Sequence, residues 1–515
     1  MRISLNFLDI TVIVAYLLAL LIIGFGFGSK RSKKDIFLAG RSFKWPFIGF
    51  SLFATNVSPM MMIGFAGLAY SHGMAGANFE WLAWVFLMLL AMVFIPVYAR
   101  TKISTMPQFL KVRYGNKAYR FLSVYSLFSI LLVWVSSALY AGGLLISQLF
   151  GFSLWMSMLG IALIGSSFAA FGGLSAIVRT DVLQSAIIIL SSALLVFWGI
   201  EKIGGISALV HKVPGDYWKL FKSSGDQEYS WYAILLGYPV AGIYYWCTDQ
   251  TIVQKVLAAK NREQGQYGVI LLSFLKLLTP FIFILPGILC LALYPHLGKP
   301  DSVYTHLIIT LMPSGILGLS VAGLLAALIN TVATGLNSFS TVFTLDFYTR
   351  WKSLTEKQVQ YAGRLVTLAG TALAFLIALI FSFSGKIFFD ITQGMVSILA
   401  PPLSVVFLVG AFWKKATDRA AEWTLYGGGA LCIIVGICYI LNFPYKGYWP
   451  NFLMLSFYLF LFLLIVMILV SSLTKVTEGS PLLWKEAKKE NHFNRVWIWW
   501  AVVAIAMVSI YLIFN

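Results

Sequence analysis

Charge is scarce in this chain. Asp, Glu, Lys and Arg together make up 11% of 515 residues, where a soluble domain carries roughly 25%. Hydrophobic residues reach 60%, against roughly 45–50% in soluble proteins. So few charges cannot cover the outside of so apolar a chain, which excludes a soluble globular enzyme, a disordered regulator and a coiled coil. Histidine is limited to His72, His211, His296, His306 and His492, and no two share a helix at ligand spacing, which argues against a haem or metal-dependent oxidoreductase. Cys247, Cys290, Cys432 and Cys438 lie in apolar runs with no metal-type spacing and read as packing residues. No Walker-type phosphate loop is present, so ATP is not the expected energy source.

What the chain has is long apolar runs. A helix needs ~20 apolar residues to cross ~30 Å of hydrocarbon. Fourteen stretches fit, near 8–28, 45–70, 78–99, 120–149, 153–171, 180–200, 231–253, 266–294, 304–347, 361–384, 388–412, 421–441, 450–472 and 495–513. They are continuous rather than alternating, which excludes a transmembrane β-barrel. The first is too long for a signal-peptide core and reads as a retained helix. In 304–347, Pro313-Ser314-Gly315 predicts a short outer helix followed by a long one. The expected fold class is an all-α polytopic membrane protein.

The net charge of +18 sits mostly in short loops. Lys30, Arg31, Lys33, Lys34, Arg41 and Lys44 follow the first run, and Arg100, Lys102, Lys111, Arg113, Lys117 and Arg120 the third. Lys255, Lys260 and Arg262, then Arg350, Lys352, Lys357 and Arg364, then Lys414, Lys415 and Arg419 continue the series on the same side. The positive-inside rule assigns that side to the cytoplasm, and fourteen crossings then place both termini outside. This placement reads as orientation, not as a nucleic-acid footprint.

Two runs carry interruptions at matching places. Ala54-Thr55-Asn56-Val57-Ser58-Pro59 interrupts the second, and Gly237-Tyr238-Pro239-Val240-Ala241-Gly242 the seventh. Proline removes a backbone donor, while Asn and Ser offer bonds that compete with the helix. Each interruption falls in the first helix of a five-helix group, 45–200 and 231–412, with 1–44 before, an outer loop at 201–230 between, and three further helices in 413–515. Paired interruptions of this kind point to a transporter with repeat symmetry, and an odd number of helices per group makes the repeat inverted. Two ordinary proline kinks are the plainer alternative.

Ala327, Asn330 and Thr331 are spaced i, i+3, i+4 and share one helix face. One backbone and two side-chain oxygens there could meet the carbonyls of Ala54 and Val57 at the break, giving five hard oxygens suited to a sodium ion. Asn330 and Thr331 could equally serve as polar glue between helices. Glu80 and Lys276 are charges inside apolar runs, which are expensive in lipid and functional candidates by default.

Several segments resemble the sodium:solute symporter family: Phe37-Leu38-Ala39-Gly40-Arg41-Ser42, Ala54-Thr55-Asn56, Phe79-Glu80-Trp81, Gly172-Gly173-Leu174-Ser175-Ala176 with Thr180-Asp181, and Leu336-Asn337-Ser338 leading to Asp346. Leu399-Ala400-Pro401-Pro402 and Phe412-Trp413-Lys414-Lys415 are similar to its sodium/sugar cotransporter branch. The resemblance implies the five-plus-five inverted-repeat fold of the bacterial leucine transporter and alternating access driven by sodium. It implies a sodium site at Ala54, Val57, Ala327, Asn330 and Thr331. It puts Asp181 on the sodium exit path, although an exposed helix N-terminal carboxylate is an equal reading of that residue.

For the solute, the resemblance implies Glu80, Lys276 and Gln393, with Tyr245 as an inner-gate aromatic and Phe65, Phe79 and Phe389 at the outer gate. Met61, Ala83 and Gly242 stand at further solute-contact positions, where they replace polar residues of the bacterial galactose pattern. The expected activity is sodium-driven import of a small neutral polar solute, a monosaccharide first. The alternatives are symport of an inositol, sialic acid or carboxylate, or a non-transporting sensor or leak channel on the same scaffold.

Overall fold

The computed structural model describes residues 5–26, 35–58, 60–226, 228–349, 355–382, 388–445, 447–475 and 494–514. The described chain is almost wholly helical. Eleven of its helices are long and apolar enough to cross a membrane. Two of these, Met61–Thr101 with 41 residues and Leu154–Ile203 with 50, are at least twice the ~20 that one crossing needs. The second turns at Gly173, whose φ of +58 is open to glycine at little cost. The broken segments Trp45–Asn56 and Trp231–Leu257 fall outside this tally, which does not itself establish fourteen crossings.

Burial separates an inner set of helices from an outer one. In Ile316–Tyr348 and Gln393–Phe412, 83% of the apolar window is buried against other helices. In Phe7–Gly26 and Arg495–Ile513 the figure is 22%, and in Glu356–Phe381 it is 28%. Leu365, Leu368, Leu376 and Ile380 are exposed along one such outer helix. Exposed Leu and Ile on a whole ring of helices is the surface expected where the solvent is lipid.

The loops sort to two ends. The backbone of Phe43 pairs with Ala258 and Lys260, and the Arg41 guanidinium donates to the carbonyls of Lys102 and Ile103. Thr105 and Gln108 donate to Asp346, and Arg113 donates to the carbonyls of Gly410, Trp413 and Ala416. The basic loops after five different crossings therefore meet at one end. At the other, Tyr217 donates to Ser71 O, Asn78 to Leu220 O, and Leu220 N to Phe514 O.

The run at 304–347 forms a short helix, Val303–Leu311, a turn, and a long helix, Ile316–Phe343. Asp9 of the first helix accepts from the amides of Gly315 and Gly318 at 2.8 and 2.9 Å, which caps the long helix from outside its own segment. A carboxylate suits the partial positive charge of a helix N-terminus.

Candidate functional site

The first interruption is a true break. Helix Trp45–Asn56 ends where Val57 takes φ −72 and ψ 89, and helical backbone resumes at Met60. The amide of Met61 bonds to Ser58 O, which releases the Val57 carbonyl from its helical partner. Pro59 has no N–H, so the Thr55 carbonyl loses its partner as well. Free carbonyls at this depth are tolerable only beside protein, ions or a wet cavity.

The second interruption lies ten residues beyond the expected place. Helix Trp231–Ile243 runs through Pro239. Gly237 is there for close approach, since a Cβ would sit 2.3 Å from Leu453 O. The backbone widens over Tyr244–Thr248 and leaves helical geometry at Asp249, with φ −69 and ψ 131, before helix Gln250–Leu257 begins. Asp249 caps that helix by accepting from Thr251 N at 2.8 Å and takes a bond from Trp134 Nε1 at 2.9 Å. An N-cap Asp starts a new helix more decisively than Pro239 ends one, because the freed carbonyl of a proline kink finds other donors.

Between the two broken helices lies a cavity lined by Asn56, Ser58, Met61, Phe65, Phe79, Glu80, Trp134, Ser137, Tyr238, Gly242, Tyr245, Trp246, Thr331 and Gln393, among others. The centres of water molecules can occupy about 100 Å³ of it. That is several times the roughly 10–15 Å³ needed by one water. Lys276, 0% exposed, donates to Glu80 Oε2 at 2.5 Å and to Asn56 Oδ1. Its ammonium sits 4.7 Å from the centre of the Trp246 ring. Asn56 in turn donates to the Tyr245 hydroxyl at 3.4 Å. Phe65 and Phe79 stand 6.1 Å apart on the wall, and Tyr245 packs 5.1 Å from Trp134.

The expected solute residues divide accordingly. Glu80, Gln393, Tyr245, Met61 and Gly242 line the cavity, as do Phe65 and Phe79. Lys276 stands behind Glu80 and orients it, off the lining itself. Ala83 is fully buried and does not line the cavity: it packs in the protein interior instead of facing the space. The Phe389 side chain lies outside the described residues. Asn56, Trp134, Tyr238 and Trp246 were not singled out from the sequence; Asn56 alone had a signal, a polar side chain within the break.

Of the expected sodium ligands, Thr331 lines the cavity beside Asn56 and Ser58. Its hydroxyl donates to Ala327 O at 2.8 Å, which leaves lone pairs on the hydroxyl oxygen for a cation. Helix Ile316–Phe343 packs against helix Trp45–Asn56, which brings this face toward the break. Ala54, Val57, Ala327 and Asn330 are buried off the cavity wall. Asn330 Oδ1 accepts from Thr334 at 3.1 Å, and its buried Nδ2 has no hydrogen-bond partner among the described residues.

Asp181 is no exposed N-terminal carboxylate. It sits well inside helix Gly173–Ile203, 0% exposed, paired with Lys255 Nζ at 2.7 Å and hydrogen-bonded by Ser51. Lys255 also donates to Ser51 O at 3.2 Å. Lys255, expected among the loop cations, is instead 0% exposed and belongs to the interior. Its position one turn before the chain emerges makes it look like a loop residue in sequence, while packing of helix Gln250–Leu257 turns it inward.

The profile of the sodium:solute symporter family matches residues 36–428. The sodium/glucose cotransporter of Vibrio parahaemolyticus is 31% identical over 514 residues, spanning 93% of this chain and 92% of that protein. Sodium/glucose cotransporter 1 of Ovis aries is 32% identical over 469 residues, 82% of this chain and 70% of that protein. A substrate-bound, outward-open Na+-coupled sialic acid symporter superposes with a TM-score of 0.80 over 92% of this chain and all of that one, at 22% identity. Mhp1, a nucleobase-cation-symport-1 family transporter in a closed conformation, gives 0.56 over 90% of this chain and all of that one, at 13% identity. The two structures show the leucine-transporter-like fold. Two broken helices flank one cavity inside that fold, and with the family profile matched over residues 36–428 the chain belongs to the sodium:solute symporter family.

Proposed function

We propose that this symporter carries a neutral hydroxylated solute, a monosaccharide or similar polyol, with sodium as the coupling ion. One observation carries the reading. Glu80 is the only charged side chain among the described residues that line the cavity, and its charge is matched from behind by Lys276. An anionic solute would find no free cation there. Asn56, Glu80, Gln393 and the Tyr245 hydroxyl supply both donors and acceptors, and Trp134, Tyr245 and Trp246 supply flat faces. Polar groups of both kinds on aromatic walls suit a ring of hydroxyls. The names of the sodium/glucose relatives support the same class.

Sodium would bridge the break at Ala54 and Val57 to Ala327, Asn330 and Thr331. It would favour the state in which the solute site is complete, and each ligand would strengthen the other by the same factor. Asp181 would meet the ion after release, once Lys255 moves aside. The basic end would face the cytoplasm, with both described ends of the chain on the outside of the plasma membrane. A potential of ~100 mV contributes ~2.3 kcal/mol per charge, and a tenfold sodium gradient ~1.4 kcal/mol. One sodium per solute then supports a few-hundredfold accumulation on the order of 3.7 kcal/mol.

The test is thermal stabilisation of the purified chain, with and without sodium, across sugars, polyols and organic acids. Stabilisation by a neutral sugar only when sodium is present is the expected result. Preference for a carboxylate would overturn the solute assignment. Counterflow of labelled solute in vesicles distinguishes a carrier from a sensor or leak channel.

A further inference from the structure

A second cavity lies at the basic end, away from the solute site. Its wall carries four cations from three separate segments: Arg41, Lys102, Lys260 and Arg262. Water centres can occupy about 500 Å³ of it, within the roughly 300–1,000 Å³ of small-ligand sites. No carboxylate is among its lining residues. The acid that acts on Arg41 is Asp35, whose oxygens are engaged by the amides of Phe37, Leu38 and Gly40.

The convergence is built rather than incidental. Arg41 is held by the carbonyls of Lys102 and Ile103 at 3.1 and 2.8 Å. The Lys260 amide is tied to Phe43 O at 2.8 Å. Asn261 caps helix Arg262–Phe283, and Asn261, Arg262 and Gly265 all line the cavity, so the first turn of that 22-residue helix opens into it. The opposite wall is apolar, from Ile95, Tyr98, Val256 and Leu257. Like charges gathered around one concavity repel one another and raise the local anion concentration. A general excess of basic loops would scatter these cations over the surface; here they face a common space with a helix N-terminus.

We propose that this cavity binds a phosphoryl anion, from the headgroup of an acidic phospholipid or from a soluble phosphate. The cations and the helix N-terminus would hold the phosphoryl oxygens, and the apolar wall would accept the carbon attached to them. The occupant would rest against Val256 and Leu257, which directly follow Lys255. It would thereby brace the helix whose lysine pairs with Asp181.

The experiment uses the full chain. Melting temperature is measured in detergent with inorganic phosphate against chloride at equal ionic strength and equal sodium. It is measured again in nanodiscs of phosphatidylcholine with and without phosphatidylglycerol. A rise with phosphatidylglycerol alone supports a lipid occupant, and a rise with phosphate as well shows that the phosphoryl group suffices. Lys102→Ala/Lys260→Ala should lose more than half of the rise. Lys414→Ala/Lys415→Ala, a pair of exposed cations at the same end, should keep it. No rise from either source, or an equal rise in both double variants, overturns the proposal. Sodium-dependent uptake verifies that each variant is folded. If the first double variant fails to fold, Lys260→Gln at an exposed position replaces it, judged by the same loss.

Discussion

Two ammonium–carboxylate pairs are buried among the described residues, and their surroundings differ. Lys276 and Glu80 lie beside the cavity between the broken helices, and their neighbours Asn56 and Tyr245 extend the polar network into it. Lys255 and Asp181 are fully buried, with Ser51 bonded to both and neither charge lining that cavity. Both pairs pay heavy desolvation, which hydrogen bonds offset in part. The first spends its polarity where a ligand can reach it. The second ties helix Gly173–Ile203 to helix Gln250–Leu257, the shorter half of a broken segment. An ion pair in a membrane interior therefore marks a function only together with what lies next to it.

The comparison can be broken most directly at Lys276. Lys276→Met leaves Glu80 buried and unpaired, which costs about 3–5 kcal/mol and should abolish solute binding. Glu80→Gln/Lys276→Met should recover most of the melting temperature and none of the binding. Recovery of binding would show that the pair is only structural. Lys255→Met should destabilise by a similar amount, about 3–5 kcal/mol. Asp181→Asn/Lys255→Met should restore stability with solute affinity within about threefold of the parent, a difference under ~1 kcal/mol. A large loss of affinity there would mean that the second pair is coupled to the cavity after all.

Smaller effects sharpen the contrast. Thr331→Ala removes one neutral oxygen and should raise the sodium concentration for half-maximal uptake about tenfold, near 1.4 kcal/mol. Unchanged sodium dependence would remove that residue from the site. Tyr245→Ala should speed solute release with little change in melting temperature, read by counterflow. The smallest effect is expected in the outer loop, where buried Lys222 meets exposed Asp216. Lys222 donates to Asp216 at 2.6 Å and holds its carboxyl below the ordinary range. Such a group stabilises at neutral pH, and the gain is lost as pH falls through the lowered pKa. Asp216→Asn should flatten the acid limb of a melting-temperature profile slightly.

The fold class was legible because hydropathy in long runs leaves few options for the backbone. Glu80 and Lys276 were legible for the same reason, as charges where lipid or protein must surround them. The break at Asn56 was legible because Asn, Ser and Pro fall together. The second break was misplaced because Pro239 is the louder signal and Thr248-Asp249 the correct one. Lys255 was hidden by its neighbours: it precedes Lys260 and Arg262 so closely that sequence alone assigns all three to one loop. Trp134 and Trp246 came to the cavity only through tertiary packing, which a linear pattern does not contain.

A helix of the outer set is tethered to one of the inner set. Because Asp9 grips the amides at the start of the rod that carries Thr331, the first span must travel with that rod whenever the carrier changes shape. A spectroscopic probe near residue 6 would thus report on movement of the helix that carries Thr331.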